Sequence, residues 1–71
     1  MPKRKDIIKR IAKAARANNT EWVLDREGAN HTIYRLGGEM IPIPRHNEIG
    51  ERITEDIYKE CAEVLGKDWW R

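Results

Sequence analysis

The sequence predicts an α+β domain of order α-β-β-β-α, with two helices on one face of a three-stranded antiparallel sheet. Three observations carry this prediction. Apolar residues recur at helical spacing near both ends of the chain, two apolar alternations flank Gly37-Gly38 in its middle, and 71 residues leave room for one shallow core.

The first helix is expected from about Lys3 to Ala17. Ile7, Ile8, Ile11, Ala14 and Ala15 fall on one side of a 3.6-residue period, with Lys5, Lys9, Lys13 and Arg16 opposite. Asn18-Asn19-Thr20 ends it, because short polar side chains compete for backbone hydrogen bonds. Glu21-Trp22-Val23-Leu24-Asp25 reads as a first strand centred on Trp and Val, interrupted by Arg26-Glu27-Gly28, where Gly28 supports a tight turn. His31 to Leu36 and Glu39 to Ile43 then form a hairpin across Gly37-Gly38, a dipeptide suited to the positive φ of a two-residue loop. Strand alternation sets His31 and Arg35 on the face of Ile33, and Thr32, Tyr34 and Leu36 on the other. Both faces are partly apolar, so the sequence leaves open which one turns inward.

Pro42 and Pro44 cannot donate ladder hydrogen bonds, which predicts an edge strand or a strand end there and puts Arg45-His46 on the following loop. The second helix is expected from about Glu51 to Leu65, burying Ile53, Ile57, Cys61, Val64 and Leu65, with Gly66 ending it. Thr54 offers an alternative cap for a later start. No internal repeat or long linker divides the chain, so one domain is expected over residues 1–71.

Charged residues make up 37% of the chain, and no apolar run approaches the roughly 20 residues of a membrane span. The uninterrupted apolar stretch of a secretory signal is also missing from the N-terminal region, so a soluble cytoplasmic protein is expected. A single cysteine, Cys61, excludes an internal disulfide and a multi-cysteine zinc site, and is expected as core filler. His31 and His46 lack cysteine or carboxylate neighbours at ligand spacing, so neither metal nor other cofactor is expected. The net charge of +2 conceals an asymmetry. Seven basic residues between Lys3 and Arg16 are opposed only by Asp6, whereas acidic residues predominate from Glu48 onward. A basic end attracts phosphate backbones without reading sequence, although two solvated helix faces would give the same pattern.

The Lys-Arg-Lys-Asp opening of an amphipathic helix, Gly28-Ala29-Asn30-His31 before a strand, Ile41-Pro42-Ile43-Pro44-Arg45-His46 after it, and a closing helix together resemble the HicA family, also described as YcfA-like proteins. The resemblance spans nearly the whole chain. It implies a double-stranded-RNA-binding-like fold, the toxin half of a toxin–antitoxin pair, cleavage of messenger RNA by one histidine of a Gly-x-x-His motif, and neutralisation by a HicB-type antitoxin. By position that histidine is His31. The commonest form of the motif is Gly-Ser-His, and this chain instead carries Asn before the histidine. Many relatives also have basic residues near the start of the second helix, where this chain has Ile53-Thr54-Glu55-Asp56, so phosphate contact there is not expected.

RNA carries its own nucleophile. A nuclease acting on it needs to take a proton from the 2′-hydroxyl, align that oxygen with phosphorus, and stabilise the phosphorane and the leaving oxygen. Histidine, which exchanges protons near neutrality, suits the first or last task, so His31 is the expected catalytic base or acid. Asn30 is a candidate to position the ribose or a base edge, and Gly28 to let backbone approach the phosphate. Arg45 has a planar fork matched to two phosphate oxygens, but equally would pair with the acidic second helix. His46 is either a second proton carrier or a structural or exposed residue. Lys5 and Lys9 on the basic helix are candidate phosphate contacts.

Trp22 is expected in the core rather than as a stacking platform. Trp69 and Trp70 either stack on RNA, dock in an antitoxin groove, or fold back over the second helix. Against the endoribonuclease expectation stand a non-catalytic RNA-binding module and a protein-interaction domain that uses the uncovered sheet face.

Overall fold

The computed structural model describes residues 3–71 and has the expected order and layering. Helix α1 (Arg4–Ala17) is followed by strands β1 (Trp22–Glu27), β2 (His31–Leu36) and β3 (Glu39–Pro44) and by helix α2 (Glu51–Leu65). The sheet is antiparallel in the order β1-β2-β3, with both helices against one face. Among the described residues, no helix is long and apolar enough to cross a membrane.

Cross-strand partners decide the question of faces. Thr32 opposes Ile43, Tyr34 opposes Ile41, and Leu36 opposes Trp22 and Glu39 on the helix side. His31, Ile33 and Arg35 oppose Pro44, Pro42 and Met40 on the uncovered side. Leu36, Ile41 and Ile43 are fully buried against Ile7, Ile11 and Ala15 of α1 and Ile57, Cys61 and Leu65 of α2, so the core lies between the sheet and the helices. Trp22 packs against this core, stacked on Tyr34 with ring centroids 4.5 Å apart. Cys61 is buried within it, as expected.

Three local expectations need correction. Strand β1 does not stop at Asp25 but runs on through Arg26 and Glu27, because a register shift between Leu24 and Arg26 takes up the extra residue and lets Glu27 pair with Thr32. In α2 the buried seam uses Thr54 and Tyr58, while Ile53 is 46% exposed. Thr54 is no cap: the helix starts at Glu51, and the Thr54 hydroxyl donates back to the Gly50 carbonyl at 2.9 Å, which allows it to be buried. Tyr58 is buried because the C-terminal segment covers it. The Trp69 indole N–H donates to the Tyr58 carbonyl at 2.8 Å, and its ring meets the Tyr58 ring edge-on at 5.0 Å. Arg10 of α1 donates to the Trp70 carbonyl and lies over the Tyr58 ring. The tryptophan pair therefore folds back across the seam of the two helices.

Pro42 and Pro44 both lie in β3, an edge strand, where a missing donor costs least. Gly37 has a φ of 59° in the two-residue β2–β3 connection, and a side chain there would also crowd Thr20 Cγ2 at 3.3 Å.

Candidate functional site

The start of β2 meets the ends of β1 and β3 at one end of the sheet, and the N-terminus of α1 reaches the same corner. His31 is the first residue of β2 and is exposed on the uncovered face, directly opposite Pro44. Its backbone is held firmly. The Gly28 N–H donates to the His31 carbonyl at 2.7 Å, closing the turn between β1 and β2. A Cβ on Gly28 would stand 3.1 Å from that carbonyl oxygen, so a side chain here would require the turn to give by a few tenths of an ångström. Asn30 is exposed in the turn itself.

Arg45 does not do what either sequence expectation assigned to it. It turns neither outward as an unoccupied fork nor toward α2, but back across the sheet end. Its Nε donates to Glu27 Oε1 at 3.0 Å, its Nη1 to the Ala29 carbonyl at 3.0 Å, and its Nη2 to the carbonyls of Gly28 and His31, the latter at 3.2 Å. Nη2 also stands 2.8 Å from Glu27 Oε1. A guanidinium has five N–H donors, so this pattern engages all but one of them. The physical reason is proximity: β3 ends beside the turn, where the Gly28 and Ala29 carbonyls lie outside the strand ladder and the His31 carbonyl has room for a second donor beside the Gly28 N–H.

A second arginine completes the corner from the helix side. Arg4 Nε donates to the Pro44 carbonyl at 3.0 Å, and its Nη2 to Thr32 Oγ1 at 2.8 Å. Thr32 is buried and passes its own hydroxyl proton toward Glu27 Oε1 at 2.9 Å. One chain of hydrogen bonds thus runs from α1 through β2 to β1 and on to Arg45. The hydrogen bond from Thr32, and then that from Arg45, hold the Glu27 carboxyl below its ordinary value of 4.5.

The remaining candidates lie on α1 and on the loop after β3. Lys3, Arg4 and Lys5 line a cavity of about 410 Å³ with Asn47 and Glu48, and the Arg4 N–H donates to the Asn47 carbonyl at 2.8 Å. That bond and an isolated antiparallel backbone pairing of Lys3 with Glu48 tie the N-terminus of α1 to the loop that carries Arg45 and His46. Lys9 is exposed one turn further along α1, and His46 is exposed two residues beyond the β3 partner of His31. Lys5, Lys9, His31, Asn30 and His46 therefore all have solvent-accessible side chains, with Lys5 and Lys9 on the helix that covers one face of the sheet and His31 on the other face. Sequence reasoning missed Arg4, Thr32 and Glu27. Only the alternation that puts Thr32 inward could have hinted at them.

Among the described residues, no three His, Cys, Asp or Glu side chains converge as a metal site would require. Compared with protein-family models, with curated proteins and with solved structures, the chain matches none.

Proposed function

We propose that this protein is an endoribonuclease toxin of the HicA kind, in which His31 moves the protons during cleavage of messenger RNA. The observation that supports this most directly is the placement of the His31 ring, exposed at the mouth of β2 while its own carbonyl is held by the Gly28 N–H and by Arg45. A fixed main chain and a free imidazole suit proton transfer to a substrate that arrives from solvent.

In the proposed reaction His31 accepts the proton of a ribose 2′-hydroxyl, O2′ bonds to the adjacent phosphorus, and the P–O5′ bond breaks. The leaving O5′ takes up a proton, from His46 or from solvent. The products are a 2′,3′-cyclic phosphate and a 5′-hydroxyl, and the 2′-oxygen supplies the nucleophile without a metal-bound water. Lys5 and Lys9, with Lys3 beside them, attract the phosphate backbone, and Asn30, exposed in the turn before His31, meets the ribose or base next to the scissile bond. Arg45 is left out of the phosphate-binding set, because all but one of its donors are engaged within the protein. The cationic corner also fits an acidic antitoxin of the HicB kind, and cytoplasmic messenger RNA is the natural substrate pool for such a pair.

The test is incubation of purified protein with RNA in the presence of a chelator. Fragments ending in cyclic phosphate are expected, absent with His31→Ala, while RNA binding by that variant persists and weakens with added salt. Retained binding with intact RNA would leave a non-catalytic RNA-binding module in its place. Negligible, salt-insensitive binding would leave a protein-interaction domain.

A further inference from the structure

From the hydrogen bonds of its guanidinium we infer that Arg45 is a positioning residue, a clamp that fixes the Gly28–His31 turn and thereby aims the His31 ring. This deepens the proposed nuclease reading and, for its catalytic part, rests on it.

The geometry distinguishes positioning from charge neutralisation. Arg45 leaves β3, crosses the start of β2 and ends on Glu27 of β1, so one planar group joins all three strand ends. Three of its four acceptors are consecutive or nearly consecutive main-chain carbonyls, those of Gly28, Ala29 and His31. The fourth is Glu27, whose carboxylate offsets its charge. A phosphate could meet two guanidinium donors only after part of the clamp had opened. The ion pair itself is half-exposed, at 39% and 56% for the two side chains, and pairs so open to water contribute little to stability. What the arrangement supplies is order. Thr32 donates to the same Glu27 oxygen that Arg45 meets, and Arg4 holds both the Thr32 hydroxyl and the Pro44 carbonyl, so the residues at the two ends of the clamp are themselves tied.

Lysine separates the alternatives, since it keeps the charge but is a point donor that cannot span these acceptors in one plane. In Arg45→Lys, backbone relaxation should show residues 28–31 moving from order parameters near those of the strands to distinctly lower ones, with the rest of the sheet unchanged. Cleavage should lose about 10- to 100-fold in kcat, as misplacement of a reacting group by an ångström or so does. KM and the salt dependence of RNA binding should stay at wild-type values. The inference is overturned by a mobile 28–31 turn in the wild-type protein, by unchanged order in Arg45→Lys, or by a lysine variant that restores kcat and KM. If Arg45→Lys does not fold, Glu27→Gln, which keeps Arg45 but removes the charge of its carboxylate acceptor, should also lower the order of residues 28–31, and unchanged order there would overturn the inference. A wild-type protein that leaves RNA intact would remove the nuclease reading and the catalytic part of this one, while the relaxation data would still decide whether Arg45 orders the turn.

Discussion

Replacing Trp69 with alanine tests whether the C-terminal tryptophans belong to the fold or to a binding surface. Trp69 is half-buried, its indole N–H is bonded to the Tyr58 carbonyl, and its ring makes an edge contact with Tyr58. Truncating a fully buried aromatic costs about 3–5 kcal/mol, so half that, about 2 kcal/mol, is the packing share here. The indole hydrogen bond adds about 1 kcal/mol. The expected loss is therefore about 3 kcal/mol, a large fraction of the total stability of so short a domain. For a chain of this size that corresponds to a fall of roughly 12–24 °C in midpoint temperature. Urea denaturation followed by far-UV circular dichroism measures it without relying on tryptophan emission. Trp69→Phe, which keeps most of the apolar contact and loses the N–H, should lose only about 1 kcal/mol. RNA affinity of the folded variants should match the wild type. Stability within about 0.5 kcal/mol of wild type, combined with weakened RNA binding, would refute the folded-back tail and make these rings a stacking surface.

Two further outcomes follow from titratable groups. The Glu27 carboxyl, held below 4.5 by Thr32 and Arg45, contributes stability that is present above its unfolded-state value and is lost as pH falls through its lower folded-state value. Glu27→Gln should therefore flatten the acid side of the stability curve measured by urea melts below neutral pH, and an unaltered acid slope would refute the assignment. Burial, and then Glu60, push the Cys61 thiol up to about 12, so a thiol reagent should modify it only as fast as the domain unfolds. Native-state labelling at the rate of a free cysteine would show the core to be open.

Both helices and the β2–β3 hairpin were legible in the sequence because each is written in local periodicity. Helix α2 and strand β2 begin and end where the apolar pattern and the glycines place them. The bulge in β1 was not legible, since Arg26-Glu27-Gly28 carries the polar signature of a turn and only pairing with Ile33 and Thr32 keeps the first two in the strand. The seam of α2 was misread for a related reason. Helical periodicity fits Ile53 as well as Tyr58, and the choice falls to Tyr58 because a segment eleven residues later folds over it.

At the candidate site the local motif gave the position of His31 at a strand entrance but not the side of the sheet, which depended on which of two half-apolar alternations met the helices. It also concealed the use of Arg45. An arginine after a proline at the end of a strand looks available to an anion as long as only the chain around it is considered. The competing acceptors are 14 to 17 residues away, in the turn that begins at Gly28. A turn that reverses the chain this tightly leaves its carbonyls outside the ladder, and each needs a donor or water. Glycine solves the steric half of the problem, and a planar group with several donors solves the polar half. Gly28 and Arg45 are thus two parts of one device. A substitution at Gly28 should resemble one at Arg45 in its effect on the order of residues 28–31, because the added Cβ would press on the same His31 carbonyl that the guanidinium holds.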